Sequence, residues 1–270
     1  MKLPRLARRP RTWRSRGPRA LRTDGVRPSI LVYKNDEYVD KDVLEFAELS
    51  QFDPIVLILT GKGQATGTLV NVGRDVGKVI LTAAHVIEDG VRSVYLEGAP
   101  INETEGSPSM EVEVASTKAS PNFERGNDDT RRYDYGVIVL KDAVDTITPY
   151  TISNTCPTRV HEGIVNVGGY GDYVNTSGAN SKALHKRVFH SLVRTDASNC
   201  SVLFSDSVEK IDKDPTQGIY WGYPWEGDSG GPVFTGGVFN QVAGVVSGKT
   251  ADDRFAYARP SANDIVGLLT

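Results

Sequence analysis

The stretch Gly227-Asp228-Ser229-Gly230-Gly231-Pro232 sets a hydroxyl beside a carboxylate in a glycine-rich backbone. A serine hydroxyl is a weak nucleophile at neutral pH and needs an adjacent base. The oxyanion formed in acyl transfer needs backbone N–H donors aimed at it, and Gly227 and Ser229 are the candidate donors. Glycines on both sides admit conformations that a β-carbon would block and let a substrate carbonyl approach. The competing assignment is a glycine-rich turn with an exposed serine.

A nucleophilic Ser229 requires a base, and the chain contains four histidines. His85 follows Val79-Ile80-Leu81-Thr82-Ala83-Ala84, an apolar strand pattern ending in small residues that would leave an imidazole at its mouth. His161, His185 and His190 sit in polar surroundings without such a lead. The base in turn needs a buried acceptor that fixes its tautomer and stabilises the imidazolium. Asp134 directly precedes the apolar run Tyr135-Gly136-Val137-Ile138-Val139-Leu140, whereas Asp128 and Asp129 lie in a polar stretch.

Short β-branched runs between turn signals must position these residues. Strands are predicted over Ile55–Thr60, Thr66–Val70, Lys78–Thr82, Ser93–Leu96, Glu111–Ser116 and Tyr135–Leu140. A second set is predicted over Ile164–Gly168, Arg187–Arg194, Cys200–Phe204, Gly218–Trp221, Pro232–Thr235, Gln241–Ser247 and Phe255–Arg259. Many short strands with almost no helix between them imply an all-β fold of antiparallel barrels or a sandwich. A short helix running from Asp40 through Leu49 is predicted, and a C-terminal helix carries the capping box Ser261-Ala262-Asn263-Asp264 and an apolar face of Ile265, Val266, Leu268 and Leu269. The expected division is a basic arm at 1–23, a pre-barrel segment at 24–52, a first barrel at 53–145, and a second barrel with the terminal helix at 146–270.

Leu81-Thr82-Ala83-Ala84-His85, Asp134-Tyr135-Gly136-Val137 and Gly227-Asp228-Ser229-Gly230-Gly231-Pro232 resemble the three signature blocks of the trypsin/chymotrypsin-like serine proteases. Their order and separations, 49 and then 95 residues, are similar to that family's. The resemblance implies two antiparallel barrels of about six strands each, with the active site between them. It implies that Ser229 attacks the scissile carbonyl, His85 carries the proton, Asp134 orients His85, and the Gly227 and Ser229 amides hold the oxyanion. By the same resemblance Ser247 supports the aspartate, and Ser247, Gly248, Lys249 and Tyr223 contact substrate. Tyr223 stands six residues before the nucleophile, where an aspartate would select Lys or Arg, so a simple trypsin-like preference is not implied. Lys249 at the pocket wall, with Phe255 at another, would give a shallow or acid-preferring pocket; Asp252 or Asp253 reaching in would restore a basic preference.

Two further features depart from the family. No Ile-Val-Gly-Gly precedes the first barrel, so Asp228 needs a partner other than the amine that cleavage there would release: an internal Arg, Lys or Tyr, or another terminus. A chain beginning near Asp40 is therefore expected to work without processing. Thr66 and Val86 stand near the places of the cysteines that usually bracket the histidine.

Composition bounds the rest. The chain has 270 residues, 39% of them hydrophobic, enough for one large or two small domains. No apolar run approaches the ~20 residues of a membrane span. Residues 1–23 hold nine Lys/Arg and no acid, which leaves a formal −12 on the other 247 residues given the net −3. That arm lacks the apolar core of a secretory signal. It suits a targeting or processed segment, a polyanion-binding arm or a solvated tail. Cys156 and Cys200 form either one disulfide or two buried thiols. His-Glu-x-x-His, Cys-x-x-Cys and a complete Gly-x-x-x-x-Gly-Lys-Ser/Thr phosphate loop are all lacking, so no metal or other cofactor is expected and the expected partner is a protein or peptide substrate. The competing functions are a catalytically silent binding module and a scaffold for the basic arm, whose binding would be steeply salt-dependent.

Overall fold

The computed structural model describes residues 46–96, 110–157, 163–174, 180–181, 186–195, 200–205, 222–235 and 239–270. The basic arm, the start of the helix expected from Asp40, and the strand expected at Gly218–Trp221 lie outside them. In place of a helix ending at Leu49, the described part has helical Phe46 and Ala47 and then a 3-10 turn at Ser50–Phe52. Leu49 is extended and 48% exposed; Phe52 supplies the buried contact instead.

The first sheet contains β1 (Ile55–Thr60), β2 (Gln64–Val70), β3 (Val79–Thr82), β4 (Val91–Leu96), β5 (Met110–Val112), β6 (Val114–Ala119) and β7 (Gly136–Leu140), in the order β5-β4-β1-β2-β3-β7-β6. Only Glu113 separates β5 from β6, so one bent segment pairs with β4 at one edge and β7 at the other. The sheet thereby closes on itself, which removes the exposed edges. β1 reads Ile-Val-Leu-Ile-Leu-Thr and is buried along almost its whole length, because the second barrel covers the face turned from the first core. β6 reads Val-Ala-Ser-Thr-Lys-Ala and lies mostly exposed.

The second sheet contains β8 (Thr151–Ile152), β9 (Ile164–Gly169), β12 (Arg187–Arg194), β13 (Val202–Ser205), β14 (Pro232–Thr235), β15 (Gln241–Lys249) and β16 (Phe255–Ala258). Its order is β14-β9-β12-β13-β16-β15-β8, and a β14–β15 pairing closes the antiparallel part into a barrel. β8 pairs parallel to β15. β10 (Tyr173–Val174) and β11 (Asn180–Ser181) form a separate hairpin. β8, β10 and β11 are two residues each, too short to leave an alternation in the sequence.

Beside these sheets the described residues include the helices α1 (Ala84–Glu88) and α2 (Ala262–Leu269). The expected capping box closes α2: Ser261 Oγ accepts from the Asp264 amide at 3.2 Å, and the Ser261 amide donates to Asp264 Oδ2 at 2.8 Å. Its buried Ile265 joins the core of the first barrel, so the end of the chain returns across the molecule to β6 and β7. Val165, Val167, Phe189, Leu203, Val233, Val246 and Tyr257 build the second core. Phe234, Val242 and Val245 belong to the second sheet but pack with the first barrel's core, which makes the seam apolar. Cys156 and Cys200 are joined in a disulfide, their Cα atoms 6.1 Å apart. Among the described residues no helix is long and apolar enough to cross a membrane.

Candidate active site

His85 does not sit at the mouth of β3, as the strand pattern suggested, but in the first turn of α1, beyond the buried Ala83 and Ala84. Asp134 ends a 3-10 helix over Asp128–Tyr133. Tyr135, expected to open the strand, still bonds back to Tyr133 O at 2.7 Å, and β7 starts at Gly136. The Asp134 carboxylate has no exposed surface and accepts three hydrogen bonds. His85 Nδ1 lies 2.8 Å from Oδ2, the His85 amide donates to Oδ1 at 3.0 Å, and Ser247 Oγ donates to Oδ2 at 2.6 Å. One carboxylate thus holds both the ring and the backbone of the same histidine. An ionised carboxylate only accepts, so Nδ1 carries the ring proton and Nε2 presents its lone pair. Among the described residues Nε2 has no hydrogen-bond partner.

Ser229 is carried by a tightly tied loop. The Asp228 amide donates to Trp225 O at 3.0 Å, and Gly227 has φ +97°, which makes Trp225–Asp228 a type II turn that glycine alone adopts without strain. The Gly231 amide donates to Asp228 O, and the Gly230 amide to Val246 O, each at 2.8 Å. A β-carbon on Gly230 would come within 2.0 Å of Thr82 Oγ1 and 3.0 Å of the Ala83 nitrogen. The serine loop therefore presses against the residues that lead into His85. Among the described residues, the amides of Gly227 and Ser229 and the Ser229 hydroxyl have no partner.

Asp228 points away from the site into the second barrel and is wholly buried. Its carboxylate accepts from the Gly171 amide at 2.8 Å and the Trp225 amide at 2.9 Å. Burial pushes its pKa up to about 7, against the pull of those two amides and of the charge on Arg187. Arg187, itself 1% exposed, is the register partner of Gly169, where a β-carbon would stand 2.1 Å from Asp228 Oδ1. Of the partners anticipated for Asp228, an internal arginine is the one whose charge acts on it here.

The residues expected to contact substrate divide into two groups. Ser247 is buried against Asp134, and Gly248, at φ +138°, follows a bulge in β15. Tyr223 is 6% exposed and stacks on Phe255, ring centroids 5.1 Å apart. Lys249 turns outward to an ion pair with Asp253, and Asp252 pairs with Arg254 Nε at 2.7 Å.

One supporting residue, Arg131, carries no motif of its own. Arg131 Nη2 donates to Lys249 O at 3.0 Å while its Nη1 lies 4.0 Å from Asp134 Oδ2, so it links the aspartate to the β15 edge. Its spacing three before Asp134 was the available sequence signal. Thr66 and Val86, near the places of the bracketing cysteines, are both buried. Among the described residues no cluster of three or more His, Cys, Asp or Glu is placed to hold a metal.

A family model for trypsin matches residues 49–263. The chain belongs to the trypsin family. Among solved structures, neuropsin, a serine protease expressed in the limbic system of mouse brain, superposes with a TM-score of 0.55. The match covers 78% of this chain and 91% of that one at 17% identity. HL collagenase superposes with a TM-score of 0.51 over 78% and 90% of the two chains, at 19% identity. A comparison with curated proteins finds no match. The trypsin-family fold of two closed barrels agrees with the all-β architecture expected from the strand pattern.

Proposed function

We propose that this trypsin-family chain is a serine endopeptidase working through an acyl-enzyme. In this reading His85 Nε2 takes the Ser229 proton as Oγ attacks the scissile carbonyl, and Asp134 stabilises the imidazolium that results. The Gly227 and Ser229 amides receive the oxyanion. His85 then protonates the leaving amine, and water repeats the sequence to free the acid. Tyr223, Ser247, Gly248 and Lys249 are the proposed substrate-contacting residues. The single observation that carries the proposal is the wholly buried Asp134 carboxylate bound to His85 Nδ1 at 2.8 Å and to Ser247 Oγ at 2.6 Å. A buried carboxylate aimed at one imidazole nitrogen leaves the other as a base, and few purely structural roles need that arrangement.

The test is labelling with a fluorophosphonate followed by peptide mapping. Modification at Ser229 alone, lost in His85→Ala, is expected. Label on other residues, or label at Ser229 that survives His85→Ala at an unchanged rate, would overturn the proposal.

A further inference from the structure

We propose that Thr66 is a positioning residue for the acyl transfer, its hydroxyl holding the peptide that carries the oxyanion donors; this rests on the endopeptidase reading above. Thr66 has no exposed surface, and its polar groups make four hydrogen bonds, all to segments that build the site. Its amide donates to Ser229 O at 2.9 Å, and its carbonyl accepts from Thr82 Oγ1 at 2.8 Å. Its hydroxyl donates to Gly227 O at 2.8 Å and accepts from the Tyr170 amide at 2.9 Å. The single hydroxyl proton is thus committed to Gly227, and a lone pair to Tyr170.

Gly227 and Ser229, the two residues whose amides are the proposed donors, both have their own carbonyls fixed by Thr66. Pinning a carbonyl fixes the following peptide plane and leaves the N–H of the same residue only its own φ and ψ. For Gly227, the residue with the widest backbone freedom, that restraint matters most. The Tyr170 bond adds a second tie, because the next amide, Gly171, holds the Asp228 carboxylate. One hydroxyl therefore joins the segment before the nucleophile to the strand end that cradles the neighbouring acid, across the seam between barrels. Any residue at 66 makes the main-chain bonds to Ser229 and Thr82; only a hydroxyl makes the bond to Gly227. A preorganised donor needs no reorientation as charge develops, and a loosened one does.

The experiment compares fluorophosphonate labelling of the full chain with that of Thr66→Val and Thr66→Ser, well below the melting temperature of each. Thr66→Val keeps the volume and removes the hydroxyl; Thr66→Ser keeps the hydroxyl. The maximal inactivation rate, kinact, is expected to fall about 10- to 100-fold in Thr66→Val with the half-saturating concentration KI unchanged, and to stay within about threefold in Thr66→Ser. If Thr66→Val does not fold, Thr66→Ala is read in its place. Valine, or alanine in its stead, at the wild-type rate would overturn the inference while leaving the endopeptidase reading intact. Serine as slow as valine would also overturn it, because the methyl group and not the hydroxyl would then be what matters. A wild-type chain that is not labelled sinks the endopeptidase reading and this inference with it.

Discussion

At Asp228 burial and charge conflict. A carboxylate stripped of water is raised in pKa, and the amides of Trp225 and Gly171 with the charge on Arg187 bring it back only to about 7. Between the ordinary 3.8 and about 7 the unfolded chain has released this proton while the folded chain keeps it. The folded state then binds more protons, so this contribution to stability is lost as pH rises through that window and is constant above it. The whole shift corresponds to about 4 kcal/mol. Asp128, held below its usual value by the Ala251 amide, and Asp252, held down by the Thr250 hydroxyl, act in the opposite sense in more acid solution. In denaturant titrations across about pH 4 to 7, Asp228→Asn is expected to gain on the wild type steadily as pH rises. Parallel pH dependences in the two proteins would contradict this.

At the scale of elements, the short pieces depend on ties that their own sequences do not supply. α1 is five residues long and has no side-chain cap of its own; Asp134, 49 residues away, bonds the His85 amide in its first turn. The second barrel is tied by Cys156–Cys200, and Arg259 gathers the carbonyls of Ala243, Cys200 and Thr155 at 2.6, 2.8 and 2.9 Å beside that bond. A loop closed over a separation of 44 residues is worth about 4 kcal/mol through the unfolded chain. Cys156→Ala with Cys200→Ala is expected to lower the unfolding free energy by about 2 to 4 kcal/mol, read from urea midpoints. Arg259→Met leaves three carbonyls without their donor and is expected to cost about 1 to 3 kcal/mol in the same assay. An unchanged midpoint in either variant would refute the corresponding estimate.

At the scale of the molecule, the candidate site exists only because the two barrels are joined. β1 and β2 pack against β9, Gln64 Nε2 donates to Tyr170 O at 2.7 Å, and α2 returns from the second half to seal the first core. Among the described residues the ties on Asp228 come from Gly171, Trp225 and Arg187. A chain beginning at Asp40, which retains the buried Ala47 and Phe52, is therefore expected to be labelled at Ser229 as fast as the full chain. Complete dependence of labelling on cleavage at some further site would refute this.

The residues of the candidate site were legible in the sequence because the proposed nucleophile, base and acid each carry a local signature: a glycine-bracketed Ser229, and His85 and Asp134 at the ends of apolar strand patterns. The strand pattern likewise determined the all-β class, since alternation and turn residues are local properties. Tertiary structure alone decided that Tyr223 packs on Phe255, that Lys249 turns to Asp253, and that the charge of Arg187 acts on Asp228. It also decided that Cys156 meets Cys200 and that Thr66 holds the serine loop. Those contacts join residues remote along the chain, and a hydrogen bond or ion pair formed across the seam leaves no period or motif on either side of it.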